Sequence, residues 1–439
     1  MNPRLLVVRP YQALVALAAC TVALPAPAVE RISVSTTGAQ GNSQSRFPVI
    51  SGNGRYVAFA SDASTLVPGD TNNATDVFVR DRVLGTTTRV SLTAAGAQSV
   101  GASNYPSISG DGSRIAFTSY GGLLPDSGFL NCYLLDRAAG TVSMIDRRPS
   151  GQPATTVCQP PTLSYDGRRA AFGSRDNGLV AGDTNGWADV FIRDLPTATT
   201  YRVGLGPGGV QGNQDVDNVR IAAGGDHAIY TSTASNLVPG DTNGVRDAFV
   251  AGLDGSTRRI SLGPVSTQPN AEVGNIVATN WDGSIVAFST TASNMPDWAP
   301  FAESTLYVRL PGSDTTVAIS VPLSTSLPRE GFNEEPDFSA TGQYLVFYST
   351  DQLIPGPDVT SGIYVVDLVE GLIALVSLLP NGQPAGGNAG PPRISADGSG
   401  IVWYSTSADL VPGDTNGTWD VFYARNPLYP EQIFATGFE

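Results

Sequence analysis

Residues 54–92, GRYVAFASDASTLVPGDTNNATDVFVRDRVLGTTTRVSL, contain the pattern that decides the fold. Segments rich in Val, Phe, Tyr and Thr at 56–61, 76–81 and 86–92 are separated by stretches containing Gly, Asp and Asn, and a further apolar segment, 48–51, precedes them. Short β-branched and aromatic runs bounded by turn residues are typical of β-strands. The stretch therefore predicts four consecutive strands, named A to D here in chain order.

The same unit recurs along the whole chain. Each copy has a Gly five residues before an aromatic residue, and successive copies are 55 to 59 residues apart. Seven four-stranded units at a nearly fixed period are typical of a β-propeller. We therefore predict an all-β protein with a single closed β-propeller of seven four-stranded blades. The anchor glycines are Gly54, Gly112, Gly167, Gly225, Gly283, Gly342 and Gly398.

The N-terminus predicts how the ring closes. Residues 29–40, VERISVSTTGAQ, resemble residues 89–98, RVSLTAAGAQ, which form strand D of the first copy and the segment after it. The N-terminal segment is therefore a strand D without a blade of its own. We expect residues 30–36 to be the outer strand of the last blade, formed by residues 390–425, because closing the ring removes exposed sheet edges.

Residues 1–28 are interpreted as a signal peptide. Arg4 and Arg9 precede an apolar run at 13–24 that is too short to span a bilayer, and Ala-Pro-Ala at 26–28 is a suitable cleavage site. The domain organisation is then a signal peptide (1–28), the propeller (29–425) and a C-terminal tail (426–439). We expect an exported protein, periplasmic or secreted.

A second interpretation of the N-terminus is open. Leu-Ala-Ala-Cys at 17–20 resembles the lipobox of bacterial lipoproteins, which would leave a lipid anchor on Cys20 and an outer-membrane lipoprotein. No later stretch is apolar enough to be a transmembrane segment.

The charge of the chain limits its partners. The formal net charge is −14, and loss of Arg4 and Arg9 would leave 23 basic against 39 acidic residues, or −16. Nucleic acids and anionic membranes need a positive protein surface. We therefore expect neither as a partner.

Two cysteines remain after signal cleavage, and a disulfide between them is one of two open interpretations. Cys132 is expected at the start of strand C of blade two, and Cys158 just before strand A of blade three, so both fall on one face of adjacent blades. Export would permit a disulfide, provided that the Cα atoms are close enough. The alternative is a pair of buried thiols.

The repeat resembles that of a known group. SGDGSRIAFTS at 109–119 and SADGSGIVWYS at 395–405 are similar to the repeat of TolB-like, WD40-like (PD40) β-propellers, and the resemblance covers about residues 29–425. It implies the fold but no particular function. TolB itself has an N-terminal α/β domain and usually six blades, so the chain is not expected to be a TolB orthologue or to act in the Tol–Pal system.

The loop between strands B and C is the most regular feature outside the strands. Four copies keep LVxGDTN followed by a second Asp, so that Asp, Asn and Asp stand at offsets 0, 2 and 6. This spacing resembles part of a Ca²⁺ loop, although the turn chemistry of Asp and Asn is an alternative explanation. The candidate metal ligands are Asp70, Asn72 and Asp76; Asp183, Asn185 and Asp189; Asp241, Asn243 and Asp247; and Asp414, Asn416 and Asp420.

Catalytic motifs are lacking, so no catalytic or cofactor-binding residue is predicted. His227 is the single histidine, which excludes a zinc site of the usual kind, and no G-x-S-x-G motif occurs. Glu334 and Glu335 form an acidic pair that we interpret as a solvated loop. Three tryptophans in or near B–C loops, at 187, 298 and 419, suit stacking on sugars, anchoring of a protein partner, or packing between blades.

Two classes of function follow. The favoured one is an exported, non-catalytic scaffold that binds a protein or glycan through the face formed by the B–C and D–A loops. The alternative is a glycan hydrolase or lyase with acidic residues at the central channel. A fold alone does not distinguish them.

Overall fold

The computed structural model describes residues 28–128, 130–274, 276–296, 304–321 and 332–430. The predicted signal peptide therefore lies outside the described residues except for Ala28, as do Cys20, Trp298 and the tail beyond residue 430.

The described residues form seven four-stranded antiparallel sheets, each in the order A-B-C-D, which confirms the predicted propeller. The first strand, β1 (Val29–Arg31), belongs to the last sheet. Blades one to three consist of β2 (Ser45–Ile50), β3 (Tyr56–Ser61), β4 (Asp76–Asp81) and β5 (Thr86–Arg89); β6 (Ser103–Ile108), β7 (Arg114–Ser119), β8 (Asn131–Asp136) and β9 (Thr141–Met144); and β10 (Thr162–Leu163), β11 (Arg169–Ser174), β12 (Asp189–Asp194) and β13 (Thr199–Val203).

Blades four to seven follow in chain order. They consist of β14 (Val216–Ile221), β15 (His227–Ser232), β16 (Asp247–Gly252) and β17 (Thr257–Arg259); β18 (Ala278–Thr279), β19 (Val286–Thr290), β20 (Thr305–Leu310) and β21 (Thr315–Ala318); β22 (Asn333–Phe338), β23 (Tyr344–Ser349), β24 (Gly362–Asp367) and β25 (Leu372–Leu375); and β26 (Arg393–Ile394), β27 (Gly400–Ser405) and β28 (Asp420–Arg425) with β1. Within the described ranges, the helical residues are three short 3₁₀ turns at Pro207–Gly209, Pro264–Ser266 and Pro311–Ser313.

The repeated aromatic residue is explained by the blade core. In blade one, Phe59 of strand B lies opposite Phe78 of strand C, both are fully buried, and their ring centroids are 5.9 Å apart. Every other blade has the same pair of aromatic rings, from Phe117 and Tyr133 in blade two to Trp403 and Phe422 in blade seven. Such a pair contributes about 0.5–1.5 kcal/mol beyond the burial of its area. The sequence period therefore reflects one buried aromatic contact per blade.

The N-terminal strand closes the ring, as predicted. Strand β1 pairs with β28, and the N–H of Ile32 donates to the carbonyl of Val421 at 2.7 Å. The Ile32 side chain is fully buried in an apolar cluster that includes Phe59 of blade one. The N-terminal segment thus joins the last blade to the first through both backbone and core.

The turns between strands A and B form a continuous ring around the propeller axis. Each turn is linked to the turn of the next blade by a backbone N–H···O hydrogen bond of 2.7–3.1 Å, and the seventh bond returns to the first blade. The turns are thereby drawn together, and the Tyr165 ring lies against Gly52 and Gly110 of the two preceding turns. The donor and acceptor pairs are Gly52–Gly110, Gly110–Tyr165, Tyr165–Ala223, Gly224–Trp281, Trp281–Ala340, Ala340–Ala396 and Asp397–Gly52.

Candidate functional site

A cavity of about 620 Å³ lies on the propeller axis. Its walls come mainly from the A strands and the segments just before them, and none of the A–B turns lines it. Because the A–B turns are joined in a ring and none of them lines the cavity, the cavity opens away from these turns, toward the face of the B–C and D–A loops. This is the face that the sequence suggested for binding.

Thirteen of the residues lining the cavity occupy two fixed positions of the repeat. One position is seven residues before each anchor glycine, and all seven blades contribute it: Phe47, Tyr105, Pro160, Asn218, Ile276, Glu335 and Pro391. The other is five residues before the anchor, where the lining residues are Val49, Ser107, Thr162, Arg220, Asp337 and Arg393. We call these the outer and inner positions. Both vary in chemistry from blade to blade, although the surrounding repeat does not.

The outer position is a backbone bulge in the four blades with a long strand A. Phe47, Tyr105, Asn218 and Glu335 have φ between 53° and 58°, and the register of each strand shifts at that point. A left-handed conformation in residues other than glycine costs about 1–3 kcal/mol and clusters at functional sites. Bulges re-aim side chains next to such sites. The four bulges all direct the chain toward the same cavity.

The bulges also correct the predicted boundaries of strand A. The sequence predicted a strand at 48–51, whereas β2 begins at Ser45 and is interrupted at Phe47. A proline follows the bulge residue in three of the four blades, as Pro48, Pro106 and Pro336. Proline lacks the N–H that a regular ladder needs, so it is tolerated within a sheet at a bulge. The dipeptides Phe-Pro, Tyr-Pro and Glu-Pro at one repeat position were therefore a signal that the pattern of apolar runs did not capture.

Aromatic rings form one side of the cavity. The Phe47 ring is 4.8 Å from the Tyr105 ring and 5.9 Å from the Tyr404 ring, measured between centroids. Trp419, from a B–C loop, extends this group because its ring is 5.1 Å from that of Tyr404. Tyr105 remains 45% exposed. The aromatic wall is contributed by blades seven, one and two.

Charged groups form another part of the wall. Arg220, Glu335, Asp337 and Arg393 all line the cavity, and Arg393 Nη2 lies 3.9 Å from Glu335 Oε2. Burial, together with the nearby Arg393 charge, lowers the pKa of Arg220 to about 10. Burial raises the pKa of Asp337, against the opposing effect of the two arginines. The interpretation of Glu335 as part of a solvated loop was thus wrong, since it belongs to β22 and faces the axis.

A second opening, at the rim between blades two and three, is larger but less suited to specific binding. It has a volume of about 930 Å³, and none of the described residues lining it is aromatic. Its arginines are already paired: Arg148 with Asp176, and Arg175 with Asp215. The axial cavity is therefore the better candidate.

The predicted metal loops are held by an arginine on strand D. In blade four, Arg259 Nη1 lies 3.1 Å from Asp241 Oδ1 and 2.9 Å from Asp247 Oδ2. Asn243 donates its amide to Asp247 and to the carbonyl of Pro269. We call this arrangement the arginine clasp. It ties the B–C loop to strand D and to the following D–A loop.

The other three loops repeat the clasp with small changes. Arg89 lies 3.5 Å from Asp70 and 3.3 Å from Asp76 in blade one. In blade three, Arg202 lies 3.1 Å from Asp183 and 3.4 Å from Asp189. In blade seven, Gln40 donates to both Asp414 and Asp420, and Arg31 is 3.9 Å from Asp414. Asn72, Asn185 and Asn416 each donate to the last Asp of their loop.

These residues do not fit a Ca²⁺ site as they stand. The positive charge between the carboxylates is supplied by a guanidinium in three loops, and each Asn turns its nitrogen rather than its oxygen toward the last Asp. Ca²⁺ takes six to eight oxygen ligands. Among the described residues, no group of three or more His, Cys, Asp or Glu could hold a metal ion. Calcium would have to displace the guanidinium, and the hypothesis remains a prediction.

Burial affects the clasp carboxylates in a consistent direction. It is the main cause that raises the pKa of Asp70, Asp76, Asp241 and Asp420. For Asp189, burial and the neighbouring Asp183 charge raise the pKa to about 6. The positive charge of the arginine therefore offsets the desolvation cost of the two clasp carboxylates. This role explains why the loop keeps more polar residues than a turn needs.

The remaining candidate residues lie away from the cavity. Cys132 and Cys158 are buried and joined through their sulfur atoms, with their Cα atoms 5.8 Å apart. His227 is at the start of β15, at the A–B end of the blade. Trp187 is 37% exposed in the B–C loop of blade three. None of these is among the residues that line the axial cavity.

In the part of the chain that the structure describes, no helix has the length and hydrophobicity needed to cross a bilayer.

Comparison with known proteins shows the fold. No protein-family model matches the sequence, and no curated protein matches it. An oligogalacturonate lyase in complex with manganese is similar in structure, with a TM-score of 0.56 and 13% identity over 91% of this chain and 93% of that chain. The β-propeller domain of the Trilobed protease from Pyrococcus furiosus is similar with a TM-score of 0.50 and 12% identity, over 90% and 98%.

The described residues form a seven-bladed propeller with an axial cavity, and the solved structures share the propeller fold. TolB from Acinetobacter baumannii is also among the structural neighbours, with a TM-score of 0.38 and 12% identity over 80% of this chain and 76% of that chain, a likeness too low to support a conclusion about function. The likeness to the solved structures therefore shows the β-propeller fold alone.

Proposed function

We propose that the protein is an exported, non-catalytic propeller that binds a glycan in its axial cavity, from the face of the B–C and D–A loops. One observation carries the proposal: the two repeat positions that face the axis are the ones where the blades differ in chemistry. Residues that the fold requires recur in every blade, because each blade packs against its neighbours in the same way. Residues that differ at equivalent lining positions give the cavity a shape and a polarity of its own.

The size and the walls of the cavity favour a short oligosaccharide. A volume of about 620 Å³ is within the range of small-ligand sites, and such sites combine aromatic surface with a few polar groups. Aromatic rings offer a flat apolar surface to the C–H face of a sugar, and the exposed ring of Tyr105 at the mouth is suited to this. A protein partner would use a broader surface than this cavity presents.

Binding of oligosaccharides by calorimetry tests the proposal. We expect Tyr105→Ala to weaken binding by about tenfold, which corresponds to ~1.4 kcal/mol. Tyr201→Ala is the matched control, since Tyr201 has the same 45% exposure but lies on the outer strand of blade three. Equal affinities of the two variants and the wild type would refute the placement of the ligand.

A glycan lyase or hydrolase is the second candidate. It is favoured by the structural similarity to an oligogalacturonate lyase and by two carboxyl groups, Glu335 and Asp337, in one cavity. The test is release of unsaturated or reducing ends from oligogalacturonate, with Asp337→Asn as the inactive comparison. Turnover that Asp337→Asn abolishes would replace the scaffold proposal by an enzyme.

Export is part of the proposal and has its own test. Sequencing the N-terminus of the protein from the cell envelope should give Val29. A blocked, lipidated Cys20 would instead establish the lipoprotein interpretation.

A further inference from the structure

The inner position of the repeat has a structural role that its two arginines, like the apolar Val49 and Ala278, cannot perform. The polar inner residues accept a backbone N–H from strand A of the next blade: Ser107 from Leu163, and Thr162 from Ile221. Asp337 likewise accepts from Ile394 at 2.9 Å. These hydrogen bonds connect neighbouring A strands around the axis.

Arginine carries only donors, so it cannot accept such a bond. Arg220 and Arg393 therefore occupy inner positions but do not accept a hydrogen bond from the A strand of the next blade. Both line the axial cavity. Their presence there calls for a reason other than the connection of the A strands.

Within the described ranges, Arg220 makes no direct contact with an acid, although Asp337 and Glu335 are near enough for their charges to raise its pKa. Among the described residues, the structure gives its guanidinium neither a hydrogen bond nor an ion pair, although it lies deep enough for burial to lower its pKa. Arg393 has the long contact to Glu335 and a hydrogen bond to the carbonyl of Pro392. A guanidinium whose N–H groups have no acceptor in the protein can donate them to a carboxylate of the ligand.

The acidic residues of the cavity are engaged by other groups. Glu335 faces Arg393, and Asp337 accepts the Ile394 N–H. Asp217 also lines the cavity, and its charge raises the pKa of Arg175, which is bonded to Asp215. Three acids and two arginines line the wall, and among the described residues Arg220 is the arginine whose donors have no acceptor in the protein.

We propose that Arg220 is the anion-binding residue of the axial cavity and that it takes the carboxylate of an acidic sugar, with Arg393 as the second donor. This rests on the proposed function and specifies its ligand. In a seven-bladed ring, blade four lies across the axis from blades one and seven. Arg220 of blade four therefore faces the aromatic wall of Phe47 and Tyr404, so one sugar ring can stack on the aromatics while its carboxylate meets the guanidinium. A planar guanidinium binds a carboxylate through two parallel N–H···O bonds.

The experiment compares an acidic and a neutral probe of the same linkage. Pentagalacturonate and its carboxyl-reduced, neutral counterpart are titrated by calorimetry into wild-type protein, Arg220→Met and Arg220→Lys. Arg258→Met is the control, because Arg258 is an exposed residue of β17 that does not line the cavity. Inorganic phosphate and acetate are titrated separately, to separate recognition of an acidic sugar from recognition of any anion.

The expected result is tighter binding of the acidic probe. Arg220→Met should weaken it by about ten- to hundredfold, as for loss of a charge-assisted hydrogen-bonding pair, and should leave the neutral probe unaffected. Arg220→Lys should retain part of the preference for the acidic probe, because the positive charge remains. The rest should be lost, because lysine lacks the planar pair of N–H donors of a guanidinium. This variant also keeps the test decisive if Arg220→Met does not fold.

Other outcomes separate the two proposals. Equal binding of both probes by the wild type, with loss of both in Tyr105→Ala, overturns the anion site and leaves the glycan proposal intact. Phosphate or acetate binding with the affinity of the pentasaccharide overturns acidic-sugar recognition in favour of a general anion site. Binding of neither probe overturns both proposals.

Discussion

Replacing Arg259 by Met should destabilise the protein strongly, although it leaves the hydrophobic core unchanged. Arg259 is 7% exposed, and the two carboxylates that it contacts, on Asp241 and Asp247, are 5% and 1% exposed. Met retains most of the apolar length of the side chain but leaves these carboxylates without a counter-ion. Removing one partner of a buried ion pair costs about 3–5 kcal/mol, which is the expected decrease in the free energy of unfolding.

Urea denaturation followed by tryptophan fluorescence measures this decrease, with Arg258→Met as the control. Arg258 precedes Arg259 in β17 but points to solvent, so its replacement should change the free energy of unfolding by less than about 0.5 kcal/mol. Burial already raises the pKa of Asp241 above its value in the unfolded chain. Without Arg259, protons therefore bind the folded variant more readily. The difference in the free energy of unfolding between wild type and Arg259→Met should accordingly become smaller as pH falls from 7 to 4.

The same variant tests the calcium hypothesis. Because the guanidinium occupies the place of a cation, we expect the melting curves of the wild type in millimolar Ca²⁺ and in EGTA to coincide. Arg259→Met exposes the oxygens to solution, and a weak site with Kd of about 10⁻⁴–10⁻³ M would stabilise it by about 1–2 kcal/mol at ~5 mM Ca²⁺. An equal decrease in the free energy of unfolding for Arg259→Met and Arg258→Met would refute an electrostatic role of the arginine clasp. A decrease for Arg259→Met that does not change with pH would refute it as well.

Three further predictions concern the ring, a buried carboxyl and the cysteines. Ile32→Ala should cost about 2–5 kcal/mol in urea denaturation because the side chain is fully buried where the ring closes, whereas Val100→Ala, at an 84% exposed position, should be neutral. Burial raises the pKa of Asp146 to about 6, so this carboxyl binds a proton more readily in the folded state than in the unfolded chain. Its contribution to the free energy of unfolding should therefore increase by up to about 1.4 kcal/mol per pH unit as pH falls from 6 toward 4. Asp146→Asn should remove that pH dependence. Thiol labelling of unreduced, denatured protein from an oxidising compartment should find no free thiol at Cys132 or Cys158, and two labelled cysteines would contradict the disulfide.

The fold could be predicted because the features that determine it repeat. The buried aromatic pair, the Asp-Gly turn and the short apolar strands recur in each unit, and the displaced strand D at residues 29–31 indicates the closure of the ring. Boundaries were less predictable where a bulge intervenes. At Phe47 the chain adopts a left-handed conformation that alternation of apolar and polar residues does not reveal, and strand A therefore begins earlier than its apolar run.

The candidate site was harder to predict for the opposite reason, because it consists of residues that do not repeat. The regular DTN loops have the pattern of a ligand site, yet their regularity reflects a structural task that recurs in four blades. Arg89, Arg202 and Arg259, which complete the clasp, are separated from the loops along the chain, and only the pairing of strands C and D brings them together.

In a repeat protein, a residue that is invariant among the blades is explained by what the blades have in common. A residue that departs from its equivalents needs a reason of its own, and a position facing a shared axis is where seven different side chains can meet one ligand. Comparing the inner position down the sequence gives Val49, Ser107, Thr162, Arg220, Ala278, Asp337 and Arg393. Two arginines at a position whose polar members otherwise accept a hydrogen bond from the next blade are the departure that points to an anion. Differences among equivalent repeat positions therefore favour a ligand site on the axis over one in the regular loops.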